Sequence, residues 1–255
     1  MPHAPTTIVI TGASGGLGRA LARAYAAPGR ALHLFGRNLQ RLEETATDAA
    51  AAGATVRTHA ADVTDAHAMA AALTAIDAAA PVDLLIANAG ISAGTHGGPE
   101  SPEQTRAVFA VNLDGVLNTV LPVLPAMRAR GHGQVAIVSS IAGFRGIPGA
   151  PAYCASKAAV RAWGEGLRGE AAADGVAVNV ICPGFVRTAM TGANGFPMPF
   201  IISADCAARI IRKGLARDRG RIVFPLPMLP IAWGLRALPD SWLDALARAL
   251  PRKGG

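Results

Sequence analysis

What most constrains this chain is an alternation. Seven short apolar runs rich in Val and Ile, TIVIT (7–11), ALHLFG (31–36), TVRTHA (55–60), VDLLIANAG (82–90), GQVAIVSS (133–140), VAVNVICPG (176–184) and RIVF (221–224), are separated by longer Ala/Leu segments of helical period. Strands alternating with helices in this way build a parallel sheet covered by helices on both faces. In the helix after the first strand, Leu17, Leu21, Ala24 and Tyr25 form one apolar stripe, and Gly29 ends it. The segments 38–52, 64–79, 103–130, 152–173 and 203–217 read as further helices. The expected fold is α/β, a Rossmann-type doubly wound parallel sheet. Residues 1–224 follow this one scheme with neither linker nor repeat, which predicts a single domain.

Composition narrows the classes. A hydrophobic fraction of 51% with 16% charged residues describes a globular chain. The N-terminal MPHAPTT has neither the basic nor the apolar region of a signal peptide, and Cys154, Cys182 and Cys206 are odd in number and scattered. These features predict a cytoplasmic protein with reduced thiols. Without an H-E-x-x-H or paired-Cys spacing, a catalytic metal is not expected. The net charge of +7 is spread along the chain with no basic run interleaved with aromatics, so nucleic acid is not an expected partner.

The stretch TGASGGLG, Thr11 to Gly18, places four glycines between a strand and a helix start. Glycine costs backbone entropy, so the loop implies a close backbone approach. Unpaired N–H groups and the positive end of the helix dipole converge there, which suits an anion such as a pyrophosphate; a tight strand-to-helix turn is the plainer alternative. At the end of the second strand, where a Rossmann unit meets the adenosine ribose, no Asp or Glu occurs between Arg30 and Glu43. An acid there would bond the 2′-hydroxyl of NAD, whereas Arg can hold the 2′-phosphate of NADP. NADP(H) is therefore the expected cofactor, with Arg37 and Asn38 at the phosphate, NAD(H) the other candidate, and a solvated surface charge the alternative for Arg37.

Tyr153 and Lys157 are four residues apart on one helix face, and Ser140 closes a strand at the carboxyl end, where open α/β sheets bind ligands. An ammonium beside a phenol favours the phenolate and so makes Tyr an acid–base group; a hydroxyl at Ser140 can hold a substrate oxygen near it. Taken singly, each of these residues also has an ordinary explanation, such as a chance helix pair or a loop cap.

Together they resemble the short-chain dehydrogenase/reductase family in its single-domain form of about 250 residues. The resemblance covers about residues 6–224 and rests on an ordered set: TGASGGLG, Asp62-Val63, Asn88-Ala89-Gly90, Asn112, Ser140, Tyr153-Cys-Ala-Ser-Lys157, and Pro183-Gly184 followed by Thr188. It implies seven parallel strands and a bound nicotinamide dinucleotide. It also implies Tyr153 as general acid/base, Ser140 orienting the substrate, Lys157 holding the nicotinamide ribose, and Asn112 supporting a water that links Lys157 to solvent. By the same resemblance Gly12, Ser14, Gly15, Gly16, Leu17 and Gly18 cradle the cofactor, Asp62 and Val63 flank the adenine, and Asn88, Ala89 and Gly90 line its central wall. Pro183, Gly184, Val186 and Thr188 would contact the nicotinamide end. The implied assembly is a homodimer or homotetramer packed through the long helices, with an Ala- and Gly-rich face after Tyr153 for close approach.

The expected reaction is NADP(H)-dependent hydride transfer between the nicotinamide and a hydrophobic ketone or secondary alcohol. A non-catalytic dinucleotide-binding regulator on the same fold is the alternative; an epimerase or dehydratase would call for a longer chain. Substrate contacts are expected from residues 91–95, 142–148 and 186–202, the last reading as an apolar lid, with Arg145 available to an anionic substituent. Residues 225–255 form an extension. The run IVFPLPMLPIAWGL is charge-free for fourteen residues yet carries three prolines and is too short to span a membrane. SWLDALARAL then places Trp242, Leu246, Ala249 and Leu250 on one side, as a tail packed on its own domain or a neighbouring subunit, a lid, or a peripheral membrane contact.

Overall fold

In a computed structural model, which describes residues 4–92, 99–146, 148–192 and 198–228 together with Pro230 and Gly234, the seven runs become strands of one sheet. The strands are β1 (Thr7–Thr11), β2 (Ala31–Gly36), β3 (Thr55–Ala60), β4 (Leu84–Ala87), β5 (Gly133–Val138), β6 (Val176–Pro183), and, after a short pair β7 (Val186–Arg187) and β8 (Ile202–Ser203), β9 (Arg221–Phe224). The sheet order is β3-β2-β1-β4-β5-β6-β9 and every pairing is parallel. The pair β7–β8, which periodicity did not suggest, stands apart as a second small parallel sheet.

The helices are α1 (Gly16–Tyr25), α2 (Leu39–Ala51), α3 (Ala66–Ala79), α4 (Pro102–Phe109), α5 (Gly115–Val120), α6 (Leu124–Ala129), α7 (Pro151–Ala172), α8 (Ala189–Gly192) and α9 (Ala204–Leu215). Because side chains alternate across a strand, β1 sends Ile8 and Ile10 to one face and Val9 to the other. The first face packs against Leu21, Tyr25, Leu42, Ile211 and Leu215 of α1, α2 and α9. The second packs against Met69, Leu73, Val116, Val120, Val160 and Leu167 of α3, α5 and α7. A one-residue slip in register would exchange the two cores, so the burial of both faces fixes the pairing.

The segment 103–130 is not one regular helix. Between α4 and α5 the chain makes a π turn, Ala110–Asp114, and residues 121–123 interrupt it again before α6. By length and composition Pro102–Ala129 is apolar enough to cross a membrane, yet its Val108, Val116, Val120, Val123, Leu124 and Met127 are buried in this fold.

β1 has β2 on one side and β4 on the other, so the loops leaving β1 and β4 diverge and open a crevice at the carboxyl end of the sheet. The expected contacts at residues 93–95, 147 and 193–197, and the C-terminal extension beyond residue 228 apart from Pro230 and Gly234, lie outside the described residues.

Candidate active site

The crevice is a cavity of about 360 Å³. Its first wall is the loop from β1 to α1. The Thr11 hydroxyl accepts the N–H groups of Asn88 and Ala89, both at 3.1 Å, and the Asn88 amide donates to the carbonyls of Thr11 at 2.9 Å and Gly12 at 3.3 Å. These bonds staple the ends of β1 and β4 together. Glycine is required where the staple is tightest. Gly12 has φ +67°, and a Cβ on it would lie 2.9 Å from the Ala89 Cα; a Cβ on Gly18 would lie 2.8 Å from the Asn88 amide nitrogen and closer still to the Gly12 carbonyl oxygen. Among the described residues, a Cβ on Gly15 would instead meet nothing within 4 Å and no side chain caps α1, whose first turn also lacks an acid. The positive end of α1 is thus open to the cavity, with bare backbone in front of it, which fits the pyrophosphate of a dinucleotide.

Arg37, Arg41 and Asp62 line the far end. The Arg37 guanidinium lies 3.9 Å from the Asp62 carboxylate, and both side chains are exposed. Asp62 also accepts the Thr64 N–H and hydroxyl at 2.9 Å each; the N–H bond is the main reason its pKa falls, with the Thr64 hydroxyl and Arg37 adding to it against a smaller opposing effect of burial. Asn38 does not line the cavity. Its side-chain oxygen caps α2, accepting the Arg41 N–H at 2.9 Å. Arg41, not singled out from the sequence, lines the cavity with Arg37; its i+4 spacing from Arg37 at a helix start was the available signal.

The opposite end is built from side chains. Tyr153 sits in the first turn of α7 and Lys157 one turn later, with the ammonium 5.9 Å from the phenol ring centroid. Lys157 is 3% exposed and donates to the Val138 carbonyl at 2.9 Å. Burial lowers its pKa from the ordinary 10.5 to about 8. Burial likewise raises the Tyr153 phenol, and the opposing influence comes from a Ser140 hydrogen bond, not from Lys157. Ser140 accepts the Ala142 N–H at 3.1 Å and thereby caps the short 3-10 turn Ile141–Phe144. That turn rests on α7: a Cβ on Gly143 would lie 2.7 Å from the Lys157 carbonyl carbon, while the Ser139 hydroxyl donates to the Lys157 carbonyl at 2.7 Å. Ser140, Tyr153 and Lys157 are therefore held as one unit.

Asn112 is fully buried and lies behind the cavity wall. It accepts the Ile91 N–H at 2.8 Å and donates to the Ile91 carbonyl at 2.9 Å and to Ser156 at 3.1 Å; Ser156 in turn donates to the Tyr153 carbonyl at 2.8 Å. Asn112 belongs to the π turn, whose extra residue breaks the helical register at that point.

Of the residues singled out from sequence, Gly12, Ser14, Gly15, Gly16, Leu17, Arg37, Asp62, Val63, Asn88, Ala89, Gly90, Ser140, Tyr153, Lys157, Pro183, Gly184, Val186 and Thr188 all line this cavity. Gly18, Asn38 and Asn112 shape it from behind. Ile91 joins the wall, as do Val111, Val138, Ser139, Ala189, Met190 and Thr191, whereas none of Ala142–Gly146 does.

A model of the short chain dehydrogenase family matches residues 6–195. An uncharacterized oxidoreductase of Myxococcus xanthus is 39% identical over 245 residues, spanning 96% of this chain and 97% of that protein. Among solved structures, a short-chain dehydrogenase of Sphingobium yanoikuyae in complex with NADPH superposes with a TM-score of 0.80 at 26% identity, covering 96% of each chain. A short-chain dehydrogenase/reductase of Burkholderia phymatum in complex with NAD gives a TM-score of 0.81 at 28% identity, covering 89% of this chain and 91% of that one.

Proposed function

The chain belongs to the short-chain dehydrogenase family and is an NAD(P)-dependent oxidoreductase acting between CH–OH and C=O; from that premise we propose that it uses NADP(H) on a hydrophobic ketone or secondary alcohol, with Tyr153 as general acid and base. The observation that carries this reading is the convergence of Ser140, Tyr153 and Lys157 on a wall otherwise made of Ile91, Val111, Val138, Ala189 and Met190. Among the described residues lining that end, Lys157 is the charged one, and its ammonium is already bonded to Val138. A neutral, apolar substrate suits such a wall better than a carboxylate or a phosphate ester.

Gly15, Gly16 and Leu17 at the open end of α1 would hold the pyrophosphate, Arg37 and Arg41 the 2′-phosphate, Asp62 and Val63 the adenine, and Lys157 the nicotinamide ribose. Hydride transfer to or from carbon is the chemistry the dinucleotide supplies when bound. In the reducing direction Ser140 and Tyr153 hydrogen-bond the carbonyl oxygen, and Tyr153 releases its phenolic proton as charge develops there. A phenol raised by burial remains protonated at neutral pH and is loaded for this step. In oxidation the phenolate takes the proton from the alcohol. Asn112 holds the wall segment at Ile91 and, through Ser156, the Tyr153 backbone.

None of Cys154, Cys182 and Cys206 is in a disulfide among the described residues, which supports a cytoplasmic reading. The outer face of α7 is flat at Gly166 and Gly169, where a Cβ would meet no described residue, and this supports packing of α7 in a homodimer or homotetramer, a reading that mass under native conditions tests. The functional assignment is tested by dinucleotide consumption over a panel of ketones from small and polar to long-chain and polycyclic, run with NADPH and with NADH. Turnover favouring NADPH and apolar ketones is the expected result. Binding without turnover, or a clear preference for NADH, contradicts it.

A further inference from the structure

The helix that carries Tyr153 and Lys157 begins without a cap of its own. Ala150 at its N-cap position offers no side-chain acceptor, and Pro151 follows with no N–H. The acceptor comes instead from 52 residues earlier in the chain: a Glu100 carboxylate oxygen takes the Ala152 N–H at 2.9 Å. The other carboxylate oxygen, Oε1, is buried and has no hydrogen-bond partner among the described residues. A local Ser or Asn would cap this turn without placing a half-satisfied carboxylate out of water, so capping alone does not account for Glu100.

Glu100 lies at the end of the segment that leaves the cavity wall after β4. That segment is tied at its start too, because Asn112 bonds both the N–H and the carbonyl of Ile91. Both ties lead to the same place. Asn112 passes through Ser156 to the Tyr153 carbonyl, and Glu100 holds the N–H of the residue just before Tyr153. Next to Glu100, Ser101 and Gln104 form a capping box that fixes the start of α4, so the carboxylate projects from an anchored point.

We propose that Glu100 is a positioning residue for catalysis: its carboxylate clamps the first turn of α7 to the substrate-side wall and so sets where the Tyr153 phenol stands relative to Ser140. This rests on the reading of Tyr153 as the general acid. The clamp depends on reach and on an acceptor oxygen, not on charge. Gln at this position keeps both, whereas Asp keeps the charge and loses one methylene of reach.

The test uses the full chain with NADPH and the best apolar ketone of the panel. E100A and E100D lower kcat by roughly tenfold or more, since displacement of a catalytic group by a fraction of an ångström is costly, while the dissociation constant for NADPH stays within about twofold and E100Q recovers most of the rate. In a Tyr153→Phe background E100D adds no further loss, because the two act through one group. Exchange of the Ala152 amide hydrogen is slow in the parent and in E100Q and fast in E100D. The proposal is overturned if E100D turns over like the parent, if E100Q is as impaired as E100D, if the losses from E100D and Tyr153→Phe simply multiply, or if the Ala152 amide exchanges fast in the parent. A parent that binds NADPH and reduces nothing would instead sink the functional reading, and amide exchange would still report on the clamp. Should E100A not fold, E100D and E100Q carry the comparison.

Discussion

The two ends of the cavity are made in different ways. At the dinucleotide end the shape is written in backbone: glycines at 12 and 18 where a Cβ would strike Asn88, Ala89 or the loop itself, and an uncapped α1 in front of them. At the catalytic end it is written in side chains, with Asn112, Ser139 and Lys157 each bonded to a main-chain group of a neighbouring element. A backbone-made site fails when anything is added. A side-chain-made site fails when one functional group is removed, and it can do so while the fold and the other end remain intact.

This contrast predicts effects of different kind and size. The largest is at the catalytic end: Tyr153→Phe lowers turnover roughly 10³-fold, the scale of a lost general acid, with NADPH affinity unchanged. Next comes the buried ammonium. Lys157 releases its proton near pH 8 in the folded chain but near 10.5 when unfolded, so the charge costs stability below 8 and the cost disappears as pH rises through that window. The limiting value is about 3 kcal/mol. It should be read as the difference in unfolding free energy between the parent and Lys157→Met, because burial pushes Cys182 from 9.0 up to about 12 and gives a slope of opposite sign above pH 9. A constant difference from pH 7 to 10.5 would contradict it.

At the dinucleotide end, Gly18→Ala should cost on the order of 2 kcal/mol of stability by overpacking and weaken NADPH binding with it, both measurable by thermal unfolding and fluorescence titration. The smallest effects separate two neighbours. Asn38→Ala removes a helix cap and costs about 1 kcal/mol with the NADPH-to-NADH preference intact. Arg41→Ala leaves stability nearly unchanged and reduces that preference by about tenfold, the share of one charge-assisted bond. The reverse assignment of these two outcomes would restore Asn38 to the phosphate.

The same contrast governs what could be read from the sequence. The strands were legible because runs such as LLIA and VAIV are apolar on both faces, and the glycine loop because Gly12 and Gly18 stand where a Cβ does not fit. Tyr153 and Lys157 were legible through helical spacing and the family's ordered motifs. Their shifted pKa values were not: pairing alone suggested a phenol lowered by its ammonium, whereas burial raises the phenol and lowers the lysine. The π turn at Asn112 was invisible too, since one extra residue in a helical turn leaves the apolar pattern of 103–130 almost unchanged. Glu100 was illegible for a related reason. Its hydrogen bond to the Ala152 N–H joins residues 52 apart, and sequence distance says nothing of which loop meets which helix start.

The claim that one end binds and the other reacts is tested most directly in a single turnover. The parent and Tyr153→Phe are each loaded with NADPH, an apolar ketone is added, and oxidation is followed as loss of NADPH fluorescence. The account predicts equal loading of both proteins, stoichiometric oxidation in the parent, and a rate lower by roughly 10³-fold in the variant. Oxidation at comparable rates in both proteins, or a variant that cannot be loaded, would contradict it.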